Sequence, residues 1–224
     1  MKSVAKLALA ASVLFIVSCT AADKNKSHEP VVAIAAKPTN ATKTSVTKKP
    51  STAKTVKKST LSTRASEIGN YAAQKGYSTK YCFLIDMSLP SGRNRFFVYD
   101  LQKGSVAYSA LVAHGSCDER FLSRARFSNV NNSGCSSLGK YKVGAFYNGK
   151  YGESFRLHGL ESSNSNAFPR GVVIHGYDCV PDEEIFPRVL CNSLGCPMVS
   201  YNFFDKLSRI ISGSEKPILL WVYR

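Results

Sequence analysis

The amino-acid usage of this 224-residue chain changes abruptly near residue 66, and that break decides how much of it can form a packed core. Residues 20 to 66 are mostly Lys, Thr, Ala, Ser and Pro, with almost no aromatic side chain and no apolar periodicity. Such a stretch buries too little apolar surface to offset the entropy of ordering, and it reads as a flexible linker. It carries ten Lys and Arg against Asp23 and Glu29, a net +8, whereas residues 67 to 224 carry 18 basic against 13 acidic side chains, a net +5. The basic balance of the chain therefore belongs mainly to the linker. Like charges extend it, and its random-coil reach is about 35 to 40 Å.

The residues before it have the layout of a secretion signal. Lys2 and Lys6 open a short basic start, and Leu7 to Val17 form an eleven-residue apolar run. A membrane span needs about 20 apolar residues, so this run reads as a removable signal. Ile16-Val17-Ser18-Cys19 then has the aliphatic, small, small, Cys order of a bacterial lipoprotein cleavage site. Cleavage before Cys19 makes residues 1–18 a lipoprotein signal peptide and residues 19–66 a lipidated cysteine followed by the basic linker. More than one acyl chain on Cys19 anchors a protein stably to a membrane. Thr20, in place of Asp, directs the expectation to the periplasmic side of the outer membrane. The alternative is an ordinary signal peptide cut after Ala21 or Ala22, with a soluble product. Basic runs can bind nucleic acid, but a secreted chain meets little of it, so no nucleic-acid partner is expected.

Residues 67–224 suffice for one domain with one core. Tyr81–Met87, Arg95–Leu101, Ser105–Ala113, Lys140–Phe146, Ser154–Leu157 and Gly171–His175 are short β-rich runs broken by Gly, Ser, Asn and Pro. The spacing of Ile68, Tyr71 and Ala72 predicts a short helix from Ser66 to about Gly76. A second helix is predicted after Ser200, which can cap it, with Phe203, Phe204, Leu207, Ile210 and Ile211 on one face. Pro217–Tyr223 reads as a buried closing strand. The expected fold is mainly β with short helices, arranged as a β-sandwich or mixed sheet.

The chemistry concentrates late in the chain, where His175-Gly176 is followed after a loop by Ser193-Leu194-Gly195-Cys196. A thiol with a free pKa near 8.5 is only a few per cent ionised at neutral pH, so a cysteine nucleophile needs an activating group such as imidazole. Gly195 would let backbone amides approach a reacting carbonyl. The pair His-Gly occurs three times, but only His175 ends an apolar β-run and precedes Cys196 by a loop. His114 reads as a hydrogen-bonded structural imidazole. No CxxC pair or HExxH is present, and no metal or cofactor is expected.

The words Val172-Val173-Ile174-His175-Gly176 and Ser193-Leu194-Gly195-Cys196-Pro197-Met198-Val199 resemble the active-site signature of L,D-transpeptidases (YkuD-like), in which HG precedes S-x-G-C. The resemblance, to the murein L,D-transpeptidase branch, also takes in Ile85-Asp86-Met87-Ser88-Leu89-Pro90, Arg95-Phe96-Phe97-Val98-Tyr99-Asp100-Leu101, Ala113-His114-Gly115, Ser136-Ser137-Leu138-Gly139 and Phe155-Arg156-Leu157-His158-Gly159-Leu160-Glu161. It covers roughly residues 80 to 224 and departs from the wider pattern at Leu194, often His, and at Pro197-Met198, often an aliphatic residue and Arg. His158 stands where the branch often has Asp and reads as local hydrogen bonding. The resemblance implies a catalytic domain over residues 67–224, with Cys196 as nucleophile, His175 as base, and Gly195, Ser193 and Gly176 shaping the site. It further implies acyl transfer on peptidoglycan stem tetrapeptides, giving a cross-link or attachment of a wall protein. L,D-carboxypeptidase activity and a non-catalytic wall-binding lipoprotein are the alternatives.

Six cysteines follow Cys19, at positions 82, 117, 135, 179, 191 and 196. An oxidising compartment permits disulfides. With Cys196 kept as nucleophile, five remain, and at least one thiol stays unpaired. Cys82 sits in an apolar run, where a small buried thiol packs well. Neighbours in sequence then pair as Cys117 with Cys135 and Cys179 with Cys191, each closing a loop worth about 3 kcal/mol. A Cys191–Cys196 bridge acting as a redox lock is the rival.

Overall fold

The structure, a computed structural model, describes residues 52–224, with side chains from Thr60 onward. The signal peptide, Cys19 and the first part of the linker lie outside the described residues. The elements run in order as α1 (Thr52–Lys75), β1 (Tyr81–Asp86), β2 (Phe96–Asp100), β3 (Ser105–Ala110), β4 (Gly139–Gly149), β5 (Gly152–Gly159), β6 (Val173–Gly176), β7 (Met198–Val199), α2 (Tyr201–Ser212) and β8 (Leu219–Tyr223). The strands form one mixed sheet in the order β3-β2-β1-β8-β4-β5-β6-β7, parallel between β1 and β8 and between β6 and β7, antiparallel elsewhere. Of the two expected arrangements, the mixed sheet is the one formed. No helix among the described residues is long and apolar enough to cross a membrane.

The last strand lies at the sheet's centre, and its unbroken apolar sequence is what a strand covered on both faces requires. Ile218, Leu220 and Val222 join Phe83, Ile85, Phe96 and Val98 in a core closed by Phe203, Phe204 and Leu207 of α2. Leu219, Trp221 and Tyr223 alternate to the other face, where Cys82 and Leu84 meet Ala65, Ile68 and Ala72 of α1. The Ser200 side chain caps α2 by accepting from the Phe203 amide at 3.2 Å, satisfying one of the helix's first donors.

Helix α1 begins at Thr52, well upstream of the predicted start at Ser66, so the final part of the predicted linker is helical. Lys, Thr, Ser and Ala between residues 52 and 60 carry no apolar period, which left pattern reading nothing to detect. Tertiary contacts hold the helix further along. Ile68 is fully buried, and the Arg64 guanidinium lies 4.7 Å from the Trp221 ring. Lys140 covers the same ring at 4.1 Å while bridging Glu67 and Glu161.

Strand β3 stops at Ala110, short of the predicted Ala113; beyond it Val112 stays in the main core while Leu111 and Ala113 join a separate cluster with Val180, Leu190 and Met198. Beside them Arg95 is wholly buried. Its Nε and Nη2 donate to the Val112 carbonyl at 3.0 and 2.7 Å, Nη1 donates to Leu89 O at 3.1 Å, and Nη2 also donates to Nδ1 of His114 at 2.9 Å. A guanidinium only donates, so His114 carries its proton on Nε2, which faces the Leu122 carbonyl at 3.2 Å. Burial first, and the Arg95 charge second, push the His114 pKa down to about 4. His114 is therefore a neutral structural imidazole, as its sequence context suggested. Its carbonyl accepts from the Ser193 amide at 2.9 Å, so this buried polar knot carries one end of the Cys196 loop.

The unfolded chain protonates a histidine near pH 6.5, whereas the folded one takes up this proton only near pH 4. Between those values the unfolded state binds more protons, so stability falls as pH drops through the window, by roughly 3 kcal/mol in total. Urea unfolding from pH 7 to 4 should show this slope in the wild type and a flatter one in His114→Gln; equal slopes would remove His114 as its source.

Candidate active site

The site is built where β5, β6 and β7 meet. Ser154 pairs with His175, and His175 pairs in turn with Met198, which brings the segment ending in Cys196 alongside the histidine strand. His175 is buried in β6 and its Nδ1 stands 3.0 Å from the Gly176 carbonyl, an acceptor only. The proton therefore sits on Nδ1, leaving the Nε2 lone pair as the basic atom. Cys196 is partly exposed, and its Sγ accepts from the Val173 amide at 3.5 Å. That amide lies two residues, roughly 7 Å of strand, from His175. Both side chains line one cleft of about 240 Å³ with Ser193, Asn192, Leu194, Tyr151, Tyr177 and Met198. Among the described residues no hydrogen bond joins Sγ to the imidazole.

Burial sets the resting protonation. It pushes the Cys196 thiol up, with the Val173 amide and the Arg170 guanidinium pulling it partly back, and it pushes the His175 imidazole down against the opposing Gly176 carbonyl. Both shifts favour neutral partners, a thiol and an imidazole, over a preformed thiolate–imidazolium pair.

Of the remaining predicted site residues, Ser193 also lines the cleft, and Gly195 and Gly176 are fixed by close packing. Ser193 Oγ accepts from the Gly195 amide at 3.0 Å. Among the described residues no hydrogen bond engages the Cys196 amide. Gly195 is demanded from inside: its φ is +114°, and a Cβ there would stand 2.7 Å from the Cys135 carbonyl oxygen. Gly176 is demanded by α2, since a Cβ would meet the Tyr201 ring at 2.5 Å. Disulfides join Cys117 to Cys135 and Cys179 to Cys191, leaving Cys196 free and Cys82 a buried thiol pushed up to about 12 by burial. The second bridge ties together the two arms of the loop between His175 and Cys196.

Two neighbours of the pair carried no signal in the sequence. Tyr151 sits at the two-residue tip of the β4–β5 hairpin and stacks on His175 with ring centroids 5.0 Å apart. Only strand register puts it there. Arg170, just before β6, reaches the Cys196 loop across the turn. His158 corrects a further expectation: its ring stacks on Phe168 at 4.6 Å, the contact the structure gives it in place of local hydrogen bonding. A larger hollow of about 550 Å³, lined by Arg95, Arg124, Arg224, Leu89 and Phe127 among others, shares no residue with the cleft. Among the described residues no group of three His, Cys, Asp or Glu is placed to hold a metal ion.

Gly195→Ala puts a side chain into a left-handed backbone already against Cys135. The variant should lose about 1 to 3 kcal/mol of stability and alter alkylation of Cys196 by iodoacetamide. Wild-type melting together with wild-type alkylation would mean the contact is dispensable.

No curated protein matches the chain. Solved structures similar to it include the helical cell shape determining protein Pgp2 from Campylobacter jejuni, with 14% identity, a TM-score of 0.41, and coverage of 64% of this chain and 47% of that one. An L,D-transpeptidase from Xylanimonas cellulosilytica is similar at 15% identity and a TM-score of 0.37, over 69% of this chain and 68% of that one. An L,D-transpeptidase from Mycobacterium smegmatis is similar at 13% identity and a TM-score of 0.38, over 65% and 59% respectively. The chain thus spans about half the length of Pgp2. The sequence profile of the L,D-transpeptidase catalytic domain (YkuD type) matches residues 52–223, taking in α1 and every strand. With so much of its length matched, this chain belongs to the L,D-transpeptidase catalytic domain family.

Proposed function

We propose that the chain is a cysteine-dependent L,D-transpeptidase acting on peptidoglycan stem tetrapeptides, held to the periplasmic side of the outer membrane by lipid on Cys19. The observation that carries this reading is the shared cleft of His175 and Cys196 within a domain of that family. Cys196 Sγ attacks the carbonyl of the third, diamino-acid residue of a donor stem. His175 Nε2 takes the thiol proton and passes it to the nitrogen of the departing D-alanine. The Cys196 amide stabilises the oxyanion as the tetrahedral intermediate forms. An amine of a second stem or of a protein lysine then resolves the thioester, and water in its place gives L,D-carboxypeptidase activity.

Tyr151 supports the assignment of His175 as base, because the stack holds the imidazole plane at the cleft wall and leaves its Nδ1 turned to Gly176. A base oriented before substrate arrives loses less entropy on the way to the transition state.

Purified mature protein incubated with tetrapeptide-rich muropeptides should release D-alanine, and Cys196→Ala should release none. Mass spectrometry of the products distinguishes cross-linked dimers from tripeptides made by hydrolysis. Binding to sacculi without D-alanine release by the wild type would instead favour a non-catalytic wall-binding lipoprotein. Because His175 must be unprotonated to act and burial holds its pKa below 6.5, the acid limb of kcat/KM should fall below pH 6.5. An acid limb above that value would reject neutral His175 as the base.

A further inference from the structure

Outside the pair itself, the charged group most closely built into the Cys196 loop is Arg170. Its Nη1 donates to Ser128 O at 3.0 Å and Ser137 Oγ at 2.7 Å, while Nη2 donates to the Cys135 carbonyl and lies 3.4 Å from Ser133 Oγ. All four acceptors are neutral. Among the described residues Arg170 makes no ion pair within 4 Å. The guanidinium also abuts the loop from beneath, since a Cβ on Gly195 would lie 3.1 Å from Nη2. Cys135 is shared by both contacts: its carbonyl accepts from Arg170 and closes against Gly195.

We propose that Arg170 is a positioning residue of the cleft, whose guanidinium holds the Gly195-Cys196 turn against the Ser128–Ser137 loop and stabilises negative charge on the Cys196 sulfur. This rests on the reading of Cys196 as nucleophile. The surroundings of that sulfur fit the role. The Val173 amide donates to Sγ, His175, Tyr151, Tyr177 and Asn192 line the cleft with Cys196 and none is a carboxylate, and Arg170 abuts the loop at Gly195. The thiol is otherwise disfavoured as an anion by its burial. A fixed positive charge on the enclosed side of the loop opposes that penalty without occupying the substrate's space. His175, left neutral, is then free to act as a base rather than as a counter-ion.

The test is the pH dependence of Cys196 alkylation by iodoacetamide, read by peptide mass spectrometry on the folded protein so that buried Cys82 is scored separately. Arg170→Gln should raise the alkylation midpoint by about one pH unit, equivalent to a roughly tenfold slower reaction at pH 7. Arg170→Lys, which keeps the charge but not the four-way fork, should keep a midpoint near the wild type while slowing D-alanine release. An unchanged midpoint in a cooperatively folding Arg170→Gln protein would reduce Arg170 to a structural clamp and overturn the proposal. If the glutamine variant does not fold, the lysine variant decides alone: a midpoint near the wild type supports the charge, and a rise of about a unit overturns it. A wild type that releases no D-alanine, yet shows the Arg170 effect on alkylation, would sink the transpeptidase reading and leave the role of Arg170 standing.

Discussion

The parallel ladder between β6 and β7 is only two residue pairs long, yet it brings the segment that carries Cys196 alongside the strand that carries His175. Parallel strands cannot be joined by a tight turn, so the chain must leave Gly176, travel through a long connection, and return beside the strand it left. The return is secured at several points. Ser193 forms a bridge with Gly115, its amide donates to His114 O, and Cys179 is linked to Cys191 partway along. Ser136 Oγ donates to Gly195 O while accepting from the Gly115 amide. Without these ties, two ladder pairs at a sheet edge would fray, because edge strands of this length contribute little by themselves.

Rigidity at this edge is polar, whereas rigidity at the centre is apolar. Around β8, packing of Phe, Leu, Ile and Val between two helices holds the sheet together. Around the cleft, hydroxyls and guanidinium groups satisfy backbone carbonyls and amides that the loops leave unpaired in their interior. Arg95 serves the segment that carries His114, and Arg170 serves the segment that carries Cys135. Two arginines with neutral acceptors thus brace the two sides of the proposed nucleophile's loop. Their chemical difference lies in what they neighbour: Arg95 adds to the burial that pushes the His114 imidazole down, and Arg170 opposes the burial that pushes the Cys196 thiol up.

Much of the sheet was legible because short β-rich runs bounded by Gly, Asn and Pro carry local information. Tyr81–Asp86, Phe96–Asp100 and Leu219–Tyr223 lie within predicted runs, and Ser200 caps the helix it was expected to cap. The features that escaped are those with no local pattern. Strand β7 is two residues long, the start of α1 has no apolar period, and the close approach of Gly195 to the Cys135 carbonyl is made only by folding. Tyr151 and Arg170 are ordinary residues in sequence and become neighbours of the site only through strand register and a turn.

The sequence by itself determined the residue types and their local grammar: a strand ending in His-Gly, a Ser-x-Gly-Cys turn before a capped helix, and a closing strand apolar enough to sit between two layers. Those are properties of nearby residues, and short-range sterics and hydrophobic alternation suffice to express them. Tertiary structure alone decided which imidazole nitrogen holds the proton, which amide remains open and where the Arg170 charge lies. The first two depend on backbone and side-chain directions that the folded loop imposes on neighbours in sequence, Gly176 for His175 and Ser193 for Gly195, and the third on acceptors that folding brings to Arg170 from the Ser128–Ser137 loop.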